Sequence, residues 1–434
     1  MKVISAIFAV ALFLITSCQT NSPATQDTSQ DSRVLYNPNN PCAGKTHKQR
    51  DEFIIGTYGD FTDYFFRFES ELDLDISVYK ADWGEHHTNI TKNFVSCGQL
   101  ADIEIIDTYM IQGYLNNNHF VDLTEKFAPY KKQLLEYTVA LGQDIDKTQR
   151  AIPIDAGPSV LIYRRNYMQD IGLDPKVELA SWESWLDYGR KLKSKHNVYL
   201  VDNIDTVVQS IIYGSVEEDG YIFIDDQQQI LIENERFKYA FNIAKTLIDE
   251  KLVANTGQWN DKWYKGFKKG AFATNVNFSG FFQHLKSWIA PQTSGEWGMS
   301  LLPDNTFTYL SGSYAVIPKG THQLDKAWKV IEHIIDAQNQ IDGYLAFNDL
   351  IFPTNVESYN DRIFMKPDSF ANGQKVRQTI IKAAQNIKPL STTQYDNVAH
   401  TLVINNGLDE LKEGNKDINA ILKEAAYQLK RRLR

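Results

Sequence analysis

Basic residues are outnumbered in this chain: 45 Lys and Arg stand against 54 Asp and Glu, for a formal charge of −9. A nucleic-acid binder usually presents a basic face, so no nucleic-acid partner is expected. Cysteine is scarce, with three in 434 residues. No Cys/His spacing resembles a zinc site, and the adjacent His86 and His87 do not share a helix face, so no metal site is expected. Long apolar runs are missing beyond residue 15. No G-x-S-x-G elbow and no phosphate loop occur, so an enzyme is disfavoured and no cofactor is implied. No internal repeat is visible.

What is present is ordinary in bulk: 43% hydrophobic and 23% charged residues. Those values exclude a disordered chain and a multi-span membrane protein. A single core stops growing at roughly 250–300 residues, so two lobes are expected. Aromatics are rich, with 22 Tyr, 23 Phe and 8 Trp.

The amino terminus stands apart from the fold. Lys2, the apolar stretch Val3 to Ile15 and then Thr16-Ser17-Cys18 form a secretory signal, too short for a typical spanning helix of ~20 residues. The Ile-Thr-Ser-Cys end resembles the lipobox of bacterial lipoproteins. That resemblance implies a signal peptide over 1–17 and a lipid on Cys18; the other reading is a plain signal peptide with an incidental cysteine. Residues 18–48 then read as a polar, aperiodic tether. Cys42 and Cys97 remain. They either bridge in an oxidising compartment or stay two separate thiols.

The next hundred residues alternate. Strands are expected at Phe53 to Ile55, Asp75 to Tyr79 and Ile103 to Ile106, with Tyr64, Phe65, Phe68 and Leu72 at helical spacing between the first two. Such β-α-β units imply parallel strands. Ser181 is a helix N-cap before Trp182, Trp185 and Leu186. Ala327, Val330, Ile331, Ile334 and Ile335 mark another helix. After the three strands come Asp60-Phe61, Asp82-Trp83 and Asp107-Thr108-Tyr109. Ligands of open α/β sheets bind beyond the carboxyl ends of strands, and each loop there pairs an aromatic with a carboxylate. A sugar needs both: acceptors for hydroxyls and a flat ring for its C–H face. The plainer reading makes the rings core and the carboxylates N-caps.

Three stretches carry a family likeness: "ADIEIIDTYMIQGYLNNNHFVDLTEKF"; "AIPIDAGPSVLIYRRNYMQDIGLDP" followed by "SWESWLDYGRKL"; and "WGMSLLPDNTFTYLSGSYAVIPKG". In order and spacing the chain resembles the extracellular solute-binding proteins of carbohydrate ABC transporters, the maltose-binding-like, type II periplasmic binding proteins. The resemblance spans roughly residues 50–430. It implies a two-lobed α/β fold with a multi-strand hinge and a ligand cleft between lobes. Lobe 1 would take 49–154 plus 315–358, and lobe 2 would take 155–314 plus 359–434. The Gly157-Pro158 break would mark the first crossing, over Asp155 to Ser159; Leu310 to Tyr314 would be the second, with a third near 355–362. A strand Ala271 to Thr274, a loop Asn275 to Gly280 and a helix from Phe281 would form the opposing wall.

The ligand-binding residues so implied are Asp60, Phe61, Trp83, Asp107, Tyr109, Asp155, Gly157, Asn277, Phe281, Ser313 and Tyr314. Trp259 and Trp263 read as helix packing or as a cover for a sugar. The function implied is capture of a sugar by lobe closure and delivery to a membrane permease, by a monomer held outside the cytoplasm through a lipid anchor. A cationic ligand such as a polyamine, or a glycoside-cleaving site, are the alternatives.

Overall fold

The computed structural model describes residues 51–433 apart from Asp60, Asn117 and Asn415. The signal segment, Cys18, the tether, Cys42 and Asp60 lie outside the described residues. Cys97 is disulfide-bonded.

The first strands alternate with helices as their sequence periods dictate. β1 (Phe53–Tyr58), β2 (Ile76–Ala81) and β3 (Ile103–Asp107) are separated by α1 (Thr62–Leu72) and α2 (Trp83–Ser96), and α3 (Thr108–Leu115) follows β3. β1 pairs in parallel with β2 and with β3. Tyr64, Phe65, Phe68 and Leu72 of α1 are all buried and meet a core shared with Val330, Ile331 and Ile334 of the helix Leu324–Ile334. Ser181 caps the helix Trp182–His196, its hydroxyl accepting from Ser184 N at 3.1 Å.

The expected break at Gly157-Pro158 is absent. β4 runs unbroken from Ala151 to Arg164 and is buried along its whole length. It joins two sheet halves. Its first part pairs antiparallel with β8 (Tyr309–Val316), which also pairs with β3. Its second part pairs antiparallel with β6 (Phe272–Phe278) and β7 (Trp297–Ser300). β5 (Tyr199–Val201) lies parallel to β6. The order is β2-β1-β3-β8-β4-β6-β5, with β7 also on β4.

The two prolines of β4 explain how this strand bends without breaking. Its pairing with β8 shifts register between Pro153 and Asp155 and again between Gly157 and Pro158. A proline cannot donate to a ladder and is tolerated at such irregularities. Gly157 is needed for another reason: a Cβ there would lie 2.6 Å from Ser311 C. The groups released at the first shift are taken up by a third segment. Gln340 Nε2 donates to Ile154 O at 3.1 Å, Thr354 Oγ1 donates to Pro153 O at 3.3 Å, and Ala156 N donates to Phe352 O at 2.8 Å. That segment meets β4 at 352–354, a few residues before the expected 355–362, where the chain instead turns as a short 3-10 helix, Val356–Asn360.

β6 also extends further than its apolar start suggests. Asn275 to Phe278 are strand, paired with Ser159 to Ile162, and not a loop.

Candidate functional site

The carboxyl ends of β1, β2 and β3 converge beside the hinge strands. Tyr58 ends β1, Trp83 opens α2 just after β2, and Asp107 ends β3. Asp107 caps α3, its Oδ1 accepting from Tyr109 N at 2.7 Å. Its other contacts come from the Trp83 side chain and from Tyr58 Oη, 3.4 Å from Oδ2. Tyr58 Oη also lies 2.8 Å from Ser313 Oγ on β8. So the plain role, N-cap, and the ligand-facing role meet in one residue: Asp107 caps its helix while bonded to a tryptophan that is 42% exposed.

His87 braces this cluster. Asp107 N donates to His87 Nε2 at 3.1 Å, which leaves Nδ1 as the N–H that donates to Trp83 O at 2.7 Å. Burial lowers the His87 pKa to about 4, so the ring is neutral at physiological pH, as an acceptor Nε2 requires. His86 Nε2 bonds Ile105 O at 2.7 Å. Both imidazoles are spent on backbone groups.

Asp155 faces the same cluster from β4. It pairs with Ser313, and its Oδ1 meets no hydrogen-bond partner among the described residues. Burial, opposed by bonds from Ser313 and reinforced by the nearby Asp107 charge, raises its pKa to about 7. Burial raises Asp107 to about 6 against its three hydrogen bonds. Once ionised, each is purely an acceptor, and Asp155 Oδ1 keeps capacity for a hydroxyl donor.

A second compartment lies between α3 and the far half of the chain. Thr108 and Tyr109 line it from α3, Tyr309 from β8, Tyr213 from the helix Asp205–Gly214, and Asp396 and His400 from the helix Asp396–His400. The Tyr109 ring, 45% exposed, meets His400 edge-on at 5.1 Å. Tyr213 Oη lies 2.8 Å from His400 Nδ1. Burial raises Asp396 to about 7 and lowers His400 to about 4. The space is about 50 Å³, room for a few waters at roughly 10–15 Å³ each. Sequence reasoning missed Tyr213, Asp396 and His400. The signal was there in "YDNVAH": Asp396 and His400 are four apart and share one helix face.

The remaining expected residues fall elsewhere. Phe61 packs among Tyr58, Phe65 and Phe347, with centroids at 5.9, 6.3 and 6.4 Å. Gly157 serves the close approach of β4 to β8. Phe281 is fully buried against Trp263 and Phe267 at 5.0 and 5.3 Å, so it is core and not a cleft ring. Tyr314 is likewise core: its hydroxyl donates to Thr138 O at 2.9 Å. Trp263 and Trp297 are buried too, their indoles donating to Asp202 and Thr293. In each case the aromatic ring was legible but its direction was not. Asn277 is buried on β6, with Oδ1 accepting from Phe278 N at 2.9 Å and Nδ2 unpartnered among the described residues.

Known proteins share this fold. A family model described as "Bacterial extracellular solute-binding protein" matches residues 64–372. A lactose-binding protein from Rhizobium radiobacter is 24% identical over 302 residues, 64% of this chain and 67% of that protein. The crystal structure of an extracellular solute-binding protein of family 1 superposes with a TM-score of 0.76 at 22% identity, covering 88% of this chain and 99% of that one. A binding protein from B. animalis subsp. lactis in complex with beta-1,6-galactobiose gives 0.71 at 18%, over 87% and 96%. Maltose-bound MalE3 of T. maritima gives 0.70 at 14%, over 87% and 99%. These likenesses establish the two-lobed fold with a hinge of several strands.

Proposed function

The chain belongs to the bacterial extracellular solute-binding proteins, which act outside the cytoplasm, and from that premise we propose that it is the receptor of a carbohydrate ABC importer. A sugar binds between the lobes, the lobes close on it, and a membrane permease reads the closed shape. The observation that carries this reading is the cluster at the hinge: an exposed tryptophan, Trp83, bonded to a carboxyl, Asp107, beside a second carboxyl, Asp155, whose Oδ1 has no partner among the described residues. A ring face and spare acceptors suit a polyol better than an anion. The lactose- and galactobiose-binding relatives support a disaccharide-sized ligand. The protein is no enzyme in this reading: its carboxyls hold hydroxyls and break no bond.

Closure is selection. A ligand touching both lobes favours the closed form only by its differential affinity for it. A micromolar receptor needs ~8 kcal/mol in all. One or two stacked rings plus several charge-assisted hydrogen bonds at ~1.5–3 kcal/mol each supply that, less the ordering cost. We also assign the lipid to Cys18, with residues 18–48 as tether, and the hinge residues Asp155, Gly157 and Ser313 to the boundary between lobes.

Titration calorimetry with lactose, beta-1,6-galactobiose, maltose and putrescine, at low and high salt, tests the ligand class. The expected result is a sugar bound with little salt dependence. Binding of putrescine alone, weakening as salt rises, overturns the sugar reading.

A further inference from the structure

The two carboxyls at the hinge are joined by hydroxyls, and the hydroxyls are one proton short. Ser313 bonds Asp155 through its hydroxyl and its backbone N–H. Its Oγ lies 2.8 Å from Tyr58 Oη, and Tyr58 Oη reaches Asp107 Oδ2 at 3.4 Å. The chain Asp155–Ser313–Tyr58–Asp107 thus has three links and crosses four strands, β4, β8, β1 and β3. A serine and a tyrosine hydroxyl each supply one proton, and an ionised carboxylate supplies none. With both carboxylates ionised, at most two of the three links hold a hydrogen. Either the two oxygens at 2.8 Å face each other with none between them, or one carboxylate loses its hydroxyl donor. One added proton, on either carboxyl, completes all three links.

The other donors decide which carboxyl carries that proton. Asp107 accepts from Tyr109 N and from the Trp83 side chain as well as from Tyr58. Asp155 is bonded by Ser313, and its Oδ1 meets no partner among the described residues. The better supplied carboxylate stays ionised, so the proton sits on Asp155 and the chain donates from there toward Asp107. Burial, which raises Asp155 to about 7 and Asp107 to about 6, gives the same order. The titratable groups packed around the chain carry no charge near neutral pH. His86 and His87 of α2 meet the Tyr58 ring at 5.9 and 5.2 Å, and burial lowers both. Tyr64 on α1, Tyr109 on α3, Tyr137 on the helix Glu136–Leu141 and Tyr314 on β8 are phenols that burial pushes up.

We propose that Tyr58 is a positioning residue that makes Asp107 and Asp155 share one proton, and that a sugar hydroxyl donating to Asp155 Oδ1 expels it. The proton leaves to water as the sugar takes up the spare oxygen, and no bond in the sugar forms or breaks. Binding then favours the ionised carboxyl, so the loaded receptor holds its proton less tightly than the empty one. Affinity is therefore weakest in acid and rises with pH, by at most about tenfold per pH unit for one proton, until the empty form is itself ionised. The receptor loads at neutral pH and lets go in acid. This coupling rests on the reading that the cleft binds a sugar; the shared proton does not.

The test uses the mature protein and its Tyr58→Phe and Asp155→Asn variants. Aspartate carboxyl carbon resonances, followed without ligand through the acid and neutral range, read the shared proton. Phenylalanine keeps the ring and deletes the hydroxyl, which leaves one link, Ser313 to Asp155, and one proton to fill it. The Asp155 midpoint should therefore fall in Tyr58→Phe, by about one pH unit or more, where burial alone would leave it in place. A midpoint that stays or rises overturns the inference. Calorimetry with lactose, beta-1,6-galactobiose and maltose, in two buffers of different ionisation enthalpy near neutral pH, reads the expelled proton. Wild type should release up to about half a proton per sugar, and Asp155→Asn far less. A sugar bound with the same heat in both buffers overturns the expulsion while sparing the sugar reading, and decides the case should Tyr58→Phe fail to fold. If none of the three sugars binds, the sugar reading and the expulsion fall together, and the ligand-free titration still decides the shared proton.

Discussion

Trp83 and Asp107 act as a pair, because the indole and Tyr58 both bond a carboxyl that burial has partly neutralised. Trp83→Ala should lower sugar affinity by ~1–3 kcal/mol, the range for a lost stacking face. Asp107→Asn keeps the shape and weakens the acceptor, at ~1.5–3 kcal/mol for a hydrogen bond to a charged group. Calorimetry on both variants checks this; unchanged affinity with intact folding would move the site off these residues. Acidity adds a second expectation. Asp155 at about 7 and Asp107 at about 6 stand above the ordinary carboxyl range, so the folded chain holds protons that the unfolded chain has released. Their contribution to stability is therefore fully present below about pH 4 and is lost as pH rises through about 6 to 7. Asp155→Asn removes that titration, so its urea midpoint should change less than the wild type's between about pH 4.5 and about pH 7.5. An equal change in the two proteins would contradict the assignment. Sugar affinity should run the other way and rise over that window, since ionised carboxyls accept more strongly.

β4 is the element on which the molecule turns. It must be buried along its whole length, pair with three other strands and still bend, and its two prolines and one glycine sit where the pairing shifts. Gly157→Ala would drive a methyl group against the backbone of Ser311 on β8. Overpacking of this kind costs ~1–3 kcal/mol, read as a lower urea midpoint at an unchanged slope. Gln340 and Thr354 take up the carbonyls that the first irregularity exposes. Gln340→Leu should therefore destabilise by about 1–3 kcal/mol, the penalty for buried acceptors left unpaired. A Gln340→Leu midpoint equal to wild type would show the clamp to be idle.

At the scale of the whole molecule, α3 and the helix Asp396–His400 press together: a Cβ on Gly113 would lie 2.5 Å from Asn397 Nδ2. The space left beside them holds only a few waters, so on the proposed reading a sugar would enter only with the lobes parted. Small-angle scattering should accordingly show a larger radius of gyration without ligand than with saturating lactose, or with whichever sugar calorimetry selects. Identical curves would count against closure on binding. The anchor is tested separately. Cys18→Ser should release the protein from membranes without altering sugar affinity, because the site lies beyond the tether; retention on membranes would refute the lipid on Cys18.

Local patterns told much of this in advance. The apolar spacing of Tyr64, Phe65, Phe68 and Leu72, the Ser181 cap and the carboxylate at the end of β3 are properties of a few adjacent residues, so they are written in the order of the chain. The segment around Gly157-Pro158 misleads for the opposite reason. Proline and glycine read as a turn until β8 and the segment 352–354 are laid beside them and take up the released groups. Ring direction is equally non-local. Phe281 and Tyr314 are core because Trp263, Phe267 and Thr138 reach them from other elements, while Trp259 is left half in solvent because Asp202 holds its neighbours Gln258 and Trp263. Asp396 and His400 join Tyr109 only when the chain has returned to the hinge. Length and periodicity thus determined a two-lobed α/β chain with aromatic and acidic strand ends. Which of those groups share one cleft was decided by packing between elements far apart in sequence.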